Sequence, residues 1–214
     1  MATKQELRSE QTKRSILAAA GALFAERGFD AVTMREIAKK AGCSHTTIYI
    51  YFTDKEALLH QLAMPPLLQL REEFRNILQA EDNPPEHNLR QICLAFIRFC
   101  LTNRNMHDIF FNVNSVRVDE AQPKLELNKV RNELFGMLTK ALQACLRIDR
   151  SDERLLAYSR IAYYTLYGIV GTYTHSSESA DELLARLTPT FRDAFEALLI
   201  GFTHKMKEEG VGGK

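Results

Sequence analysis

The chain has 214 residues, 45% of them hydrophobic and 26% charged, which is the composition of a globular protein with enough apolar mass for a real core. Its net charge of +1, with 28 basic and 27 acidic residues, excludes a polybasic or polyacidic chain whose partner could be read from charge alone. With 10 Gly and 6 Pro it also lacks the turn density of an all-β chain.

Four cysteines, Cys43, Cys93, Cys100 and Cys145, are scattered with no C-x-x-C and no zinc spacing, as expected of a reduced cytoplasmic protein. The N-terminus MATKQELRSEQTKR is polar, and no apolar run approaches membrane-spanning length. The first sixty residues hold nine Lys/Arg against seven Asp/Glu, an asymmetry in the direction of nucleic-acid binding but too small to decide it.

Ile16, Ala20, Leu23 and Phe24 share one helical face, and Gly28 then suits a left-handed C-cap with Phe29 packing back on the last turn. Thr33 and Glu36 form a T-x-x-E capping box with Val32 and Ile37 at the staple positions, so a second helix starts at Met34 and breaks at Gly42. The next stretch, SHTTIYIYF (residues 44–52), has strand propensity. A strand there would be isolated among helices, and Ser44 is a good N-cap, so a short helix is expected. On a wheel Ile48 and Phe52 point one way, while Thr46 and Ile50 point the other, flanked by Thr47 and Tyr49. Thr53 and Glu56 suggest a further capping box before ALLHQLA. Helix, short turn with glycine, short helix is a helix-turn-helix.

Residues 12–59 resemble the DNA-binding domain of the TetR (tetracycline-repressor-like) family, through ILAAAGALFAERGFDAVTMREIAKKAG, then S-x-x-T-I-Y-x-Y-F, then DKEALL. His45 and Thr46 depart from the Lys and Gly or Ala that family members often carry after the serine. In a helix-turn-helix the second helix enters the major groove. Tyr49, Tyr51, Thr47 and Ser44 then suit phosphate oxygens, with Tyr51 equally able to pack inward. Lys55 would add a charged phosphate contact, and Thr33 and Arg35 could reach the flanking strand. Thr46 and Ile50 suit thymine methyls, and His45 a guanine or a phosphate. Lys39 and Lys40 read as a solvated face.

Past residue 60 the chain stays helical. Pro65 and Pro66 should kink or restart the fourth helix, and EDNPPEHN should be a loop. Helices follow over 87–102, NRNMHDIFFN and roughly 124–147. The run Ile161 to Tyr173 carries no charge, so its helix should be covered all round. After Pro189 a last helix aligns Phe191, Phe195, Leu198, Leu199, Phe202 and Met206 and ends in a Gly-rich tail.

The resemblance implies an all-α protein: a three-helix DNA-binding domain with a helix-turn-helix (1–54), then a helical ligand-binding and dimerisation domain (55–214). It implies a homodimer through the last two helices, for which Phe191, Phe195, Leu198, Leu199 and Phe202 are candidates, although such a stripe can equally be intramolecular core. It also implies an effector pocket among the central helices. Candidates are Phe96, Phe99, Phe110, Phe111, Tyr163, Tyr164 and Tyr167, with His107, Arg98, Arg117 and His175 as polar anchors. The expected function is a ligand-responsive regulator, a repressor acting on operator DNA and released by a mostly apolar effector, with no cofactor. No G-x-S-x-G, H-E-x-x-H or Gly-rich phosphate loop supports an enzyme. The competing reading is a DNA-binding regulator controlled by redox state, with Cys43 beside the reading helix, or by a protein partner.

Overall fold

The computed structural model describes residues 3–80 and 82–211; the Gly-rich end expected as a tail lies largely outside them. Nine α-helices and no strand occur among the described residues. Helix α1 (Lys4–Arg27) opens with a Thr3–Glu6 capping box, and its first buried residue is Ile16, so its first three turns lie outside the core. At its end Gly28 has φ 79° but ψ 157°, so the chain leaves extended rather than through a left-handed turn. Phe29 returns onto Phe24 with ring centroids 5.1 Å apart.

Helix α2 (Met34–Ala41) starts at the Thr33–Glu36 capping box and stops at Gly42, which is left-handed at φ 73°. The Glu36 carboxylate accepts from Arg27 Nη1 at 2.8 Å and from the Thr33 backbone N–H at 2.9 Å. The Arg27 guanidinium first, then the two Thr33 bonds, hold the Glu36 carboxyl down to about 2. One side chain thus ties the end of α1 to the start of α2.

Helix α3 (His45–Tyr51) is the strand-like run folded as a helix, with Ser44 Oγ accepting from the Thr47 N–H at 3.0 Å. Its residues are each roughly 0.5 kcal/mol poorer than alanine in a helix. Burial of Ile48 and Phe52 offsets this, since each contributes about 1.5–3 kcal/mol.

Helix α4 (Lys55–Gln79) is capped by Asp54, which accepts from the Ala57 N–H at 2.7 Å, and not by the expected Thr53–Glu56 box; Thr53 donates to Asp54 instead. Pro65 and Pro66 lie inside it without restarting it. Each lacks one N–H, but Leu58, Leu59 and Ala63 before them and Leu67, Leu70 and Phe74 after them are buried along one helix. The division placed at 54/55 therefore falls at the cap of a helix that runs from the first domain into the second.

Helix α5 (Pro85–Thr102) begins at Pro85, inside the stretch expected as a loop, because proline is preorganised for a first helical position. A 3-10 turn (Arg104–Met106) leads into α6 (His107–Phe111), followed by α7 (Glu126–Leu146), α8 (Glu153–Tyr173) and α9 (Ala180–Val211). Pro189 sits exposed within α9 rather than before it. Helices α4, α5 and α7 pack together, α8 and α9 lie over α5 and α7, and one buried cluster runs from Ile16 to Phe202.

Adjacent positions on α3 separate core from surface. Ile48→Ala is expected to lower unfolding free energy by about 2–5 kcal/mol in urea melts, and Ile50→Ala to change it by no more than about 0.5 kcal/mol. Equal effects would mean that α3 is rotated from the orientation described.

Candidate nucleic-acid interface and ligand cavity

Helix α3 presents His45, Thr46, Tyr49 and Ile50 to solvent, and Ile50, at 75% exposure, is the most exposed large hydrophobic side chain among the described residues. The His45 and Tyr49 rings meet edge-on at 5.2 Å, one turn apart. Arg35 is exposed at the start of α2. Thr33, Ser44 and Thr47 are engaged locally: Thr33 Oγ1 donates to Glu36 at 2.7 Å, and the Ser44 and Thr47 hydroxyls share a 2.7 Å hydrogen bond. Tyr51 is half-buried against the core. An apolar, methyl-rich and aromatic face on a seven-residue helix is a surface made to meet something.

Lys55 is turned inward. Its Nζ donates to the carbonyls of Phe29 at 2.7 Å, Val32 at 3.1 Å and Asp30 at 3.4 Å, and sits 4.3 Å above the Phe29 ring. Three acceptors match the three donors of an ammonium, so none is aimed outward for the phosphate contact expected of it. The lysine pins α4 to the loop between α1 and α2.

Cys43 is half-buried and its thiol is raised by that burial, which disfavours the reactive thiolate. Burial also raises Cys93, Cys100 and Cys145.

In the second domain eight of the eleven candidate ligand residues are joined by ring contacts. Phe96 meets Phe111 at 5.3 Å, Phe99 meets Phe110 at 5.2 Å, and His107 meets Tyr167 at 5.3 Å and Phe111 at 5.5 Å. Tyr163 joins Phe96 at 6.4 Å and Tyr167 at 5.9 Å. Burial lowers the His107 pKa, which favours the neutral ring, and its Nε2 is buried without a hydrogen-bond partner. Tyr164 meets Tyr163 at 6.3 Å from the surface, at 62% exposure, and Arg117 is exposed beside Glu120 at 3.7 Å. Arg98 pairs with Glu73 on the outer surface, and His175 is exposed.

Phe96, Phe111 and Tyr163 of this cluster, with Phe74 and Phe135, line a cavity of only about 30 Å³. That admits a water, whereas ligand pockets run to ~300–1,000 Å³. Beside it, at the surface, a cavity of about 600 Å³ lies between α8 and the loop joining α6 to α7. Both are bordered by Phe111, Val116, Val118 and Tyr163.

Arg131 had no sequence signal, because one arginine in a helix of mixed charge breaks no pattern. It is 7% exposed and donates to Phe110 O at 2.6 Å, Ile109 O at 3.0 Å, Val113 O at 3.2 Å and Asn128 Oδ1 at 2.7 Å. Burial pulls the guanidinium down to about 10, but the carbonyls at the end of α6 supply the negative end of a helix dipole in place of a carboxylate.

The phenylalanine stripe of α9 belongs to the chain's own core, which corrects its assignment as a contact between copies. Phe191 and Phe195 are buried, Phe202 stacks on Tyr158 at 4.3 Å, and Leu198 and Leu199 are half-buried. Nor is α8 covered all round. Ile161, Tyr164, Gly168 and Gly171 form an exposed stripe on α8, as do Ala197, Ile200 and Gly201 on α9, with Ile200 63% exposed. A Cβ built on any of these three glycines meets nothing within 4 Å. No helix among the described residues is long and apolar enough to cross a membrane.

Fold and surface together define a helix-turn-helix regulator with a helical second domain. Residues 16–62 match the family model for bacterial regulatory proteins of the tetR family, and residues 89–199 match the tetracyclin repressor-like C-terminal domain. The chain belongs to the TetR family of transcriptional regulators, which are not enzymes. It is 26% identical over 187 residues to the transcriptional repressor BepR of Brucella suis, covering 85% of this chain and 88% of that protein. It is likewise 26% identical over 189 residues to the class D tetracycline repressor of Escherichia coli, covering 87% and 79%. Among solved structures, the ketosteroid regulator KstR2 of Mycobacterium tuberculosis superposes with a TM-score of 0.66 at 23% identity, covering 88% of this chain and 93% of that one. FadR of Bacillus subtilis, in complex with stearoyl-CoA, gives 0.60 at 21%, covering 87% and 97%.

Lys55→Met is expected to lower unfolding free energy by about 1–3 kcal/mol in urea melts. It should leave unchanged the slope of log affinity against log salt for DNA. A slope reduced by about 1 per chain would restore the phosphate role.

Proposed function

We propose that the protein is a ligand-responsive repressor that binds palindromic operator DNA as a homodimer in the cytoplasm and is released by a small, mostly apolar effector. The observation that carries this reading is the outward face of α3, where Ile50, Thr46, Tyr49 and His45 are exposed on a helix whose other face is locked into the core. Tyr49 reaches phosphate, Thr46 and Ile50 read thymine methyls, and His45 meets a guanine or a phosphate. Arg35 reaches the flanking backbone, while Ser44, Thr47 and Thr33 first serve the helix caps.

Two such helices must sit about 34–36 Å apart to meet successive major grooves. The exposed stripes of α8 and α9 support pairing there, because small residues let two copies approach and Ile161, Tyr164 and Ile200 otherwise face water. The tie between effector and DNA runs through the segment 104–111. Its 3-10 turn and α6 touch α1 of the reading domain, and its His107, Phe110 and Phe111 belong to the aromatic cluster. An effector that favours one arrangement of this segment biases the spacing of the reading heads. The half-buried thiol of Cys43, raised by that burial, does not support redox control.

An electrophoretic shift with the DNA flanking the protein's own gene tests the reading; no sequence-specific shift at moderate salt sinks it. Tyr49→Phe is expected to weaken dimer binding to all sequences about thirtyfold, the loss of one hydrogen bond of about 1 kcal/mol in each half-site. Thr46→Ala and Ile50→Ala should each change preference at one base position by about 1–3 kcal/mol, measured on an operator mutant series. The double variant Ile161→Glu, Ile200→Glu should elute as a monomer in light-scattering chromatography with unchanged helical circular dichroism. A persisting dimer places the interface elsewhere.

A further inference from the structure

Phe111, Val116, Val118 and Tyr163 stand between the inner cavity and the outer one; Phe111 and Tyr163 are held in helices α6 and α8, whereas Val116 and Val118 belong to the irregular loop between α6 and α7. The way in is therefore through that loop, and how it is fastened decides what opens it. Near α6, Tyr167 OH donates to Asn112, Asn128 Nδ2 to Asn114 O at 2.8 Å and Arg131 to Val113 O at 3.2 Å. Towards α7, Asn132 Nδ2 donates to Glu120 O at 2.6 Å. Between them stands an ion pair from Asp119 in the loop to Arg160 in α8, with the Asp119 side chain only 16% exposed.

We propose that the effector is an amphipathic carboxylate whose head group takes Arg160 from Asp119 and so releases the loop that plugs the apolar cavity. This rests on reading the second domain as an effector domain. The Asn and Arg131 fastenings end on backbone carbonyls, and breaking them leaves partly buried donors unpaired. The Tyr167–Asn112 bond joins two neutral side chains in an exposed position, where water can replace it. The ion pair is the charged fastening, and it can be replaced like for like: one carboxylate leaves the guanidinium for water at the cavity mouth as another arrives. A neutral ligand would break the pair and leave nothing on Arg160. A cation would face Arg160 and Arg117 at the mouth, and the one carboxylate there, Asp119, is already paired with Arg160.

The body of the ligand follows from the interior, where Phe74, Ile92, Phe96, Leu134 and Phe135 offer apolar surface. The head group is not drawn inward, because the N–H groups of Arg131 are already given to carbonyls and to Asn128. The ligand thus lies with its chain inside and its carboxylate at Arg160.

The chain has no tryptophan, which suits a fluorescent probe: cis-parinaric acid, an 18-carbon polyene carboxylate, and its methyl ester, which keeps the chain but not the charge. The wild-type protein should bind one parinarate per chain, and the ester at least tenfold more weakly. Asp119→Asn should raise affinity for the acid about fivefold or more, since nothing competes for Arg160. Arg160→Met should bind acid and ester alike, and Arg160→Lys should recover the preference for the acid. Circular dichroism confirms that each variant is folded. No binding of the acid, equal affinity of acid and ester in the wild type, or an Asp119→Asn affinity within twofold of wild type overturns the proposal. Because no DNA is present, the result stands apart from the regulator reading. Failure of the same protein to shift operator DNA would sink that reading and leave the ligand chemistry standing.

Discussion

Helix α4 is the constraint on which the rest depends. Its first turns bury Leu58 and Leu59 and its later turns bury Leu67, Leu70 and Phe74, so one rigid element is core to both halves of the chain. Its start is pinned by Asp54, which caps it, and by Lys55, whose ammonium gathers three carbonyls of the loop before α2. Two internal prolines remove two donors, but a helix buried on both sides of the gap loses more by breaking than by forgoing two bonds. Through it the position of α3 is tied to the packing of α5 and α7.

The two faces of α3 show how a sequence can serve two solvents. Ile48 and Phe52 are placed by the core, and their burial stabilises a helix that its own residues disfavour. Thr46, Tyr49 and Ile50 carry no such obligation, so their chemistry is free to suit a groove. Capping does the local work. Ser44, Thr33 and Glu36 close the helix starts with side-chain bonds, and Glu36 reaches back to Arg27 as well.

The second domain rests on less visible devices. Arg131 holds α6 by its terminal carbonyls, so a buried cation stands against a helix end with no acid beside it. The aromatic residues pack on one another and leave room for little more than a water, which makes this a closed arrangement rather than an open pocket. Opening it must move Val116 and Val118, residues of a loop with no periodic pattern to draw attention to them.

Local rules made much of this legible. The capping box at Thr33, the helix break at Gly42, the inward Ile48 and Phe52 and the all-α class follow from spacing and side-chain chemistry within a few residues, and the structure has each of them. The same rules placed Phe191, Phe195 and Phe202 together on one face of α9, but periodicity marks a face to be buried without naming what buries it. Only the tertiary structure decided that α5, α7 and α8 cover that stripe, leaving Ile161, Tyr164 and Ile200 uncovered. It likewise decided that Lys55 points inward, that α4 survives Pro65 and Pro66, and that Asp119 meets Arg160. Each of these joins groups far apart in the chain, or weighs a local loss against burial elsewhere, and neither can be summed from neighbours alone.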